Sequence, residues 1–314
     1  MRGRLATLLR LLFAVGVTAY LLREADPSAV GSALARVAWS WLVGATGLVL
    51  LDRTLMAYRW MALLGTEGRP PFRRVLRIFF ESSFIGSFLP GSVGGDAARA
   101  WSLSRDGVSG SRSVASVLMD RLLGVIAILG SAIVGLALVP SALDDRAVRW
   151  SVALASIGCA LALAVVFSRR VDRWARQLLP PRAAGHPIES LRRLLGALQD
   201  YRARTSVLVS VMAASGAVQL LRVAQAWMLG RGLGLTVPFE VYLAYIPIIL
   251  LVMLLPITVS GLGTGNAAFV WLFAQAGVAA PDAFALSILF LALGLVGNLP
   301  GGLLYVFAPR RAPA

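Results

Sequence analysis

The run from Phe84 to Arg99 starts apolar, breaks at Leu89, Pro90 and Gly91, uses two more glycines at Gly94 and Gly95, and ends in Asp96 and Arg99. Proline removes a backbone donor and glycine admits turns that a side chain would block, so no ordinary helix runs through this stretch. Inside hydrocarbon a freed backbone group has no water to turn to. Such a break must therefore line a cavity or lie buried in protein. The same grammar recurs from Leu255 to Gly263: Leu, Pro, any residue, a hydroxyl residue and a valine, with two glycines close behind. Two interruptions of one kind predict two broken hairpins that face each other and form the working site.

Composition supplies the membrane. Of 314 residues 58% are hydrophobic and 14% charged, where a soluble domain is nearer half apolar and a quarter charged. The formal charge is +15 and every basic residue is arginine. The arginines fall in loops beside apolar runs with no recognition motif, which excludes nucleic acid and fits positive-inside anchoring on anionic lipid. The single cysteine, Cys159, lies in an apolar run and allows no internal disulfide.

Read in order, Leu5 to Leu22 is the first span, a retained helix without a cleavage site. A loop at Asp26, Pro27 and Ser28 follows outside. Trp39 to about Leu64 is the second span, less clean past Asp52, Arg53 and Arg59. Residues 75–104 form a hairpin too short to cross, with arginines on both flanks, hence re-entrant and open to the cytoplasm. Val114 to Val139 and Trp150 to Phe167 are spans; residues 169–204 are a polar cytoplasmic linker with one or two surface helices. Thr205 to Leu229 crosses outward, residues 239–279 make a second hairpin open to the outside, and Ala283 to Phe307 is the last span, loosened by Asn298, Pro300, Gly301 and Gly302. The expected fold is an all-α integral membrane protein of about six spans plus two re-entrant hairpins, in an inverted-topology repeat. Residues 1–168 form the first half, though the span at 150–168 already opens the second repeat, and residues 205–314 complete the second half. Inverted repeats with broken helices characterise alternating-access transporters.

Asp96 and Arg99 share a helical face if the chain turns helical after Gly95, and Gly94 and Gly95 would bare N–H groups suited to phosphate. An ion pair within that helix is the plain alternative. Asp120, Arg121 and Arg222 are ionisable groups in long apolar runs, each costing about 2.5–3.5 kcal/mol at a helix centre on insertion scales. Glu81 sits in the first arm of the hairpin. Mutual pairing of these charges is the alternative to ligand binding. Ser92 and Thr258 are hydroxyls at matched places in the two breaks, suited to capping or ligand contact. His186 is a lone linker histidine, and Asp144 with Asp145 stands alone in an outer loop, so neither marks a metal or catalytic site.

At Pro90, Gly94, Gly95, Asp96, Arg99, Asp120, Arg121 and Gly124 the chain resembles the lysylphosphatidylglycerol synthase transmembrane (flippase-like) family, and Pro256, Ser260, Gly261, Leu262 and Gly263 are similar to its second motif. Members often carry an acid shortly after that motif, where this chain has Asn266. The aminoacyltransferase domain of the lipid-lysinylating members is expected to be absent. The resemblance implies a translocator of amphipathic lipids, with relatives associated with aminoacylated phospholipids, polyprenyl-phosphate sugars and hopanoid-type lipids.

The sequence reading is thus a flippase of the cell inner membrane, termini cytoplasmic, moving an anionic phospholipid or polyprenyl-phosphate-linked lipid. Arg99, Arg121 and Arg222 receive the head; Asp96, Glu81 and Asp120 hold those arginines or relay a proton. Gly94, Gly95, Gly261, Gly263, Ser92, Thr258 and Asn266 complete the substrate site. No catalytic residue, metal ligand or cofactor is assigned. A transferase on polyprenyl-phosphate donors and a non-catalytic partner of a lipid-modifying enzyme are the rivals. A second copy of the chain and such an enzyme stand as the candidate protein partners.

Overall fold

The computed structural model describes residues 12, 15–65, 70–88, 93–140, 146–168, 186–255 and 261–307, and all their regular structure is helical. Residues 15–24 lead to α1 (Pro27–Ala35). The sequence reading made this a loop, and the structure corrects it. The Asp26 side chain accepts from the Ser28 N–H at 3.0 Å, and Pro27 occupies the first helical turn. A carboxylate cap followed by a proline whose φ is already helical starts a helix. Next, α2 (Trp39–Leu63) sets off at 85° to α1.

The first hairpin is α3 (Phe72–Ser87) and α4 (Val93–Arg105). At 16 residues α3 rises about 24 Å, short of the roughly 30 Å of hydrocarbon. The arms close on each other at two glycines. A Cβ placed on Gly95 would stand 2.7 Å from the Ser82 carbonyl and 3.0 Å from the Gly86 Cα. Beyond the hairpin run α5 (Gly110–Leu138) and α6 (Arg146–Phe167), then α7 (His186–Gln199) and a 3-10 turn (Asp200–Ala203) in the linker. The second half comprises α8 (Thr205–Gly232), the hairpin arms α9 (Phe239–Leu254) and α10 (Thr264–Gln275), and α11 (Ala280–Val296) with α12 (Leu299–Val306). The last pair, expected as one loosened span, parts at Gly297 and Asn298.

Helix α2 lies along α8, with Trp41 edge-on to Trp227 at 5.6 Å. Helix α5 lies along α9, and α12 along α3. Both of these crossings turn on glycine. Gly135 of α5 rests on the backbone of Leu243 and Ala244, and Gly301 of α12 rests on the carbonyl of Phe80; a Cβ at either would collide with main chain. Helix α5 is also the neighbour common to both hairpins, touching α4 of the first and α9 of the second.

Among the described residues three stretches are long and apolar enough to cross a membrane: α5, α8 and Ala280–Val306; α1 and α2 pass as a bent pair. The distribution of polarity agrees. Val134, Leu154, Leu161 and Val209 are exposed, while Asp52, Arg59, Arg99, Asp120 and Gln219 are buried. Water would reverse that order, and hydrocarbon produces it. The protein is an all-helical membrane protein.

Candidate functional site: two arginine–aspartate clusters

Asp120 of α5 is almost wholly buried and holds two arginines from different helices. Arg59 of α2 donates through Nε to Oδ1 at 2.8 Å, and its Nη2 lies 2.7 Å from the same oxygen. Arg99 of α4 reaches Oδ2 through Nη1 at 3.4 Å. Arg59 also donates to Ser215 Oγ of α8 at 3.0 Å and to the Asp120 carbonyl at 3.3 Å. Gly124 adjoins that guanidinium, and a Cβ there would meet it in ordinary van der Waals contact at 3.5 Å. The Arg99 guanidinium sits over Phe79 at 4.5 Å and Trp60 at 5.1 Å, where the ring faces favour a cation. Its Nε has no hydrogen-bond partner among the described residues.

A second cluster lies two helical turns earlier on α2. Asp52 Oδ2 accepts from Arg53 Nη1 at 3.2 Å, and Oδ1 stands 3.5 Å from Nε of Arg222 on α8. Arg222 also donates to Met56 Sδ at 3.2 Å, and Arg53 to the Gly294 carbonyl at 3.4 Å. Asp52 and Arg59 are seven residues apart, hence on one face of α2; Ser215, Gln219 and Arg222 make the matching stripe on α8. Each cluster sets two guanidinium charges against one carboxylate and so carries an excess of one positive charge. The remaining pairs balance. Arg121 holds Asp96 with both prongs at 2.7 and 3.0 Å, and Arg77 holds Glu81 at 2.7 Å one turn along α3. Among the described residues no further carboxylate lies within ion-pair distance of either excess, and such charge favours an anion.

A sequence model of the lysylphosphatidylglycerol synthase TM region matches residues 7–301, nearly the whole chain. The chain belongs to that family. No curated protein matches it.

In this member of the family, the charged motif pairs otherwise than along one helix. Asp96 and Arg99 do not bond each other; Asp96 takes Arg121 and Arg99 takes Asp120, so that α4 and α5 are cross-linked twice. Arg222 pairs with Asp52 of the second cluster. Glu81 belongs to neither cluster and stays with Arg77. Gly94 and Gly95 fall in the first turn of α4, where Gly95 serves the close approach of the arms. Gly261 and Gly263 take φ of 78° and 82°, the left-handed region open to glycine. Asn266 braces that turn: its Oδ1 accepts from the Gly263 N–H at 3.0 Å, and its Nδ2 donates to Ser287 Oγ at 2.7 Å. Ser92 and Thr258, with the rest of 89–92 and 256–260, lie outside the described residues.

Asp52, Arg53, Arg59, Trp60, Phe79 and Ser215 were not singled out from sequence as site residues. The available signal was the seven-residue spacing of Asp52 and Arg59 inside an apolar run, which sets both charges on one face.

Proposed function

We propose that this protein translocates an anionic lipid, a phospholipid or a polyprenyl-phosphate-linked (glyco)lipid, between the leaflets of the cell inner membrane. The observation that carries the reading is the excess of positive charge in the two clusters, the first buried and the second with a buried aspartate between partly buried arginines. A phosphate-bearing head entering between α2, α5 and α8 meets guanidinium groups that one aspartate per cluster leaves half neutralised, while the tails stay in hydrocarbon. Membership of a family concerned with lipid handling supports it.

The packing of the helices supports an inverted repeat of residues 1–168 and 205–314 joined by the linker at 169–204, with the span at 150–168 opening the second unit. In this reading α2 corresponds to α8, the first hairpin to the second, and α5 to α11 with α12. Each last span then packs on the first arm of the other half's hairpin through a glycine, Gly135 on α9 and Gly301 on α3. The arginine-rich loops support a cytoplasmic placement of both termini and the linker.

The test is headgroup accessibility of fluorescent phosphatidylglycerol and polyprenyl-phosphate lipids in proteoliposomes, wild type beside Arg99→Gln and Arg222→Gln. Leaflet exchange above that of protein-free vesicles, lost in both variants, is the expected result. Exchange that persists in both variants would remove the clusters from the reading.

A further inference from the structure

At the end of the bundle that carries the arginine-rich loops, the C-terminus of α2, the N-terminus of α5 and the N-terminus of α8 enclose a cleft of about 300 Å³. Its walls are apolar, from Leu63, Val108, Ala115 and Val207, and its polar lining includes Arg112, Arg204 and Asp200. Neither arginine forms an ion pair with a described carboxylate. The helices α5 and α8 both begin without a side-chain cap, so first-turn N–H groups beside the two arginines have no side chain to receive them. The cleft is also held in shape. Tyr201 is buried and donates to the Leu63 carbonyl at 2.9 Å, and the Arg204 guanidinium lies 5.8 Å from the Tyr201 ring. The Arg204 guanidinium packs against Gly65, where a Cβ would stand 2.8 Å from its Nη1 and the arginine tip would have to shift.

Two guanidinium forks, two uncapped helix starts and an apolar wall are the parts of a phosphate-ester site. The volume is at the lower end of ligand pockets and suits a headgroup rather than a whole lipid. We propose that this cleft binds a phosphate mono- or diester between Arg112 and Arg204, as a site separate from the two clusters. Asp200 on the same rim disfavours a ligand of higher negative charge and leaves room for a hydroxyl of a glycerol-like group. The cleft is independent of the translocation reading, because none of its residues belongs to either cluster.

The experiment uses the full chain. Glycerol 3-phosphate is titrated calorimetrically into protein in phosphatidylcholine nanodiscs, and retention of phosphatidylglycerol against phosphatidylcholine is counted by native mass spectrometry of the detergent-solubilised protein. Arg112→Gln, Arg204→Gln and Val207→Trp are compared with wild type. The last fills the cleft and leaves its charge alone. Saturable binding of glycerol 3-phosphate, weakened about tenfold or more by each variant, supports the site with a soluble ligand. Retention of phosphatidylglycerol alone, lost in the same variants, supports it with a lipid headgroup. Binding that survives Val207→Trp and Arg112→Gln, or no binding of either probe by wild type, overturns the proposal. Arg112 is exposed, so its variant tests the site even if Arg204→Gln fails to fold.

Discussion

Arg121 closes both prongs of its guanidinium on Asp96, and this leaves Arg99, three residues further along the same helix as Asp96, to the buried carboxylate of Asp120. Two adjacent residues of α5 are thus each matched to a residue of α4 of opposite sign. The register between hairpin and span is written in charge.

Removing the shared acid should be severe. Asp120→Asn leaves Arg59 and Arg99 facing each other without a counter-charge, and a loss of about 3–5 kcal/mol is expected. Thermal unfolding in detergent measures it. Arg99→Met in the same background should restore part of the loss, since one of the two stranded cations is then gone. No restoration would show that Asp120 acts through Arg59 alone.

The outer pair should be mild and reversible. Arg121 is 39% exposed, so its bond with Asp96 is less sheltered than those of Asp120, and Asp96→Asn is expected to cost about 1 kcal/mol or less. Exchanging the two residues, Asp96→Arg with Arg121→Asp, should return stability to within a few tenths of a kcal/mol of wild type. Either single charge reversal sets like charges together and should fall well below the double variant.

Two glycine substitutions should separate by what the new methyl group meets. Gly301→Ala drives a Cβ into the Phe80 carbonyl, which is backbone and cannot step aside, and about 1–3 kcal/mol is expected to be lost. Gly44→Ala meets the terminal methyl of Met228, a flexible thioether that can turn away, and should be near neutral. Equal melting temperatures for the two variants would contradict the packing of α12 on α3.

The linker turn should respond to alkali. Burial pushes the Tyr201 phenol up to about 12, with Arg204 pulling the other way. In the unfolded chain the phenol ionises near pH 10. Because the folded value is the higher one, its contribution to stability is whole below about pH 10 and is lost as pH rises toward 12. Phenolate absorbance should show a late-titrating component near pH 12 that is lost in Tyr201→Phe.

The membrane class and most helix limits were legible because their causes are local. Apolar run length, arginine position and the prolines and glycines at 89–95 and 255–263 act within a few residues. Asp26 and Pro27 carried an equally local signal for α1, which the reading as a loop overlooked. The acid and arginine residues of the first motif also stood out, because charge in an apolar run is costly enough to require a reason.

Partners were another matter. Whether Asp96 joins Arg99 or Arg121 depends on how α4 is rotated against α5, and nothing within either helix sets that angle. The weight of Arg59 and Asp52 was hidden for the same reason. On the sequence they interrupt a span, and only the packing of α2 along α8 turns that interruption toward Asp120, Ser215 and Arg222. Sequence determined that this chain would bury charge in a membrane; through-space packing decided which charges meet, because an ion pair needs only a few ångströms of distance and takes no account of separation along the chain.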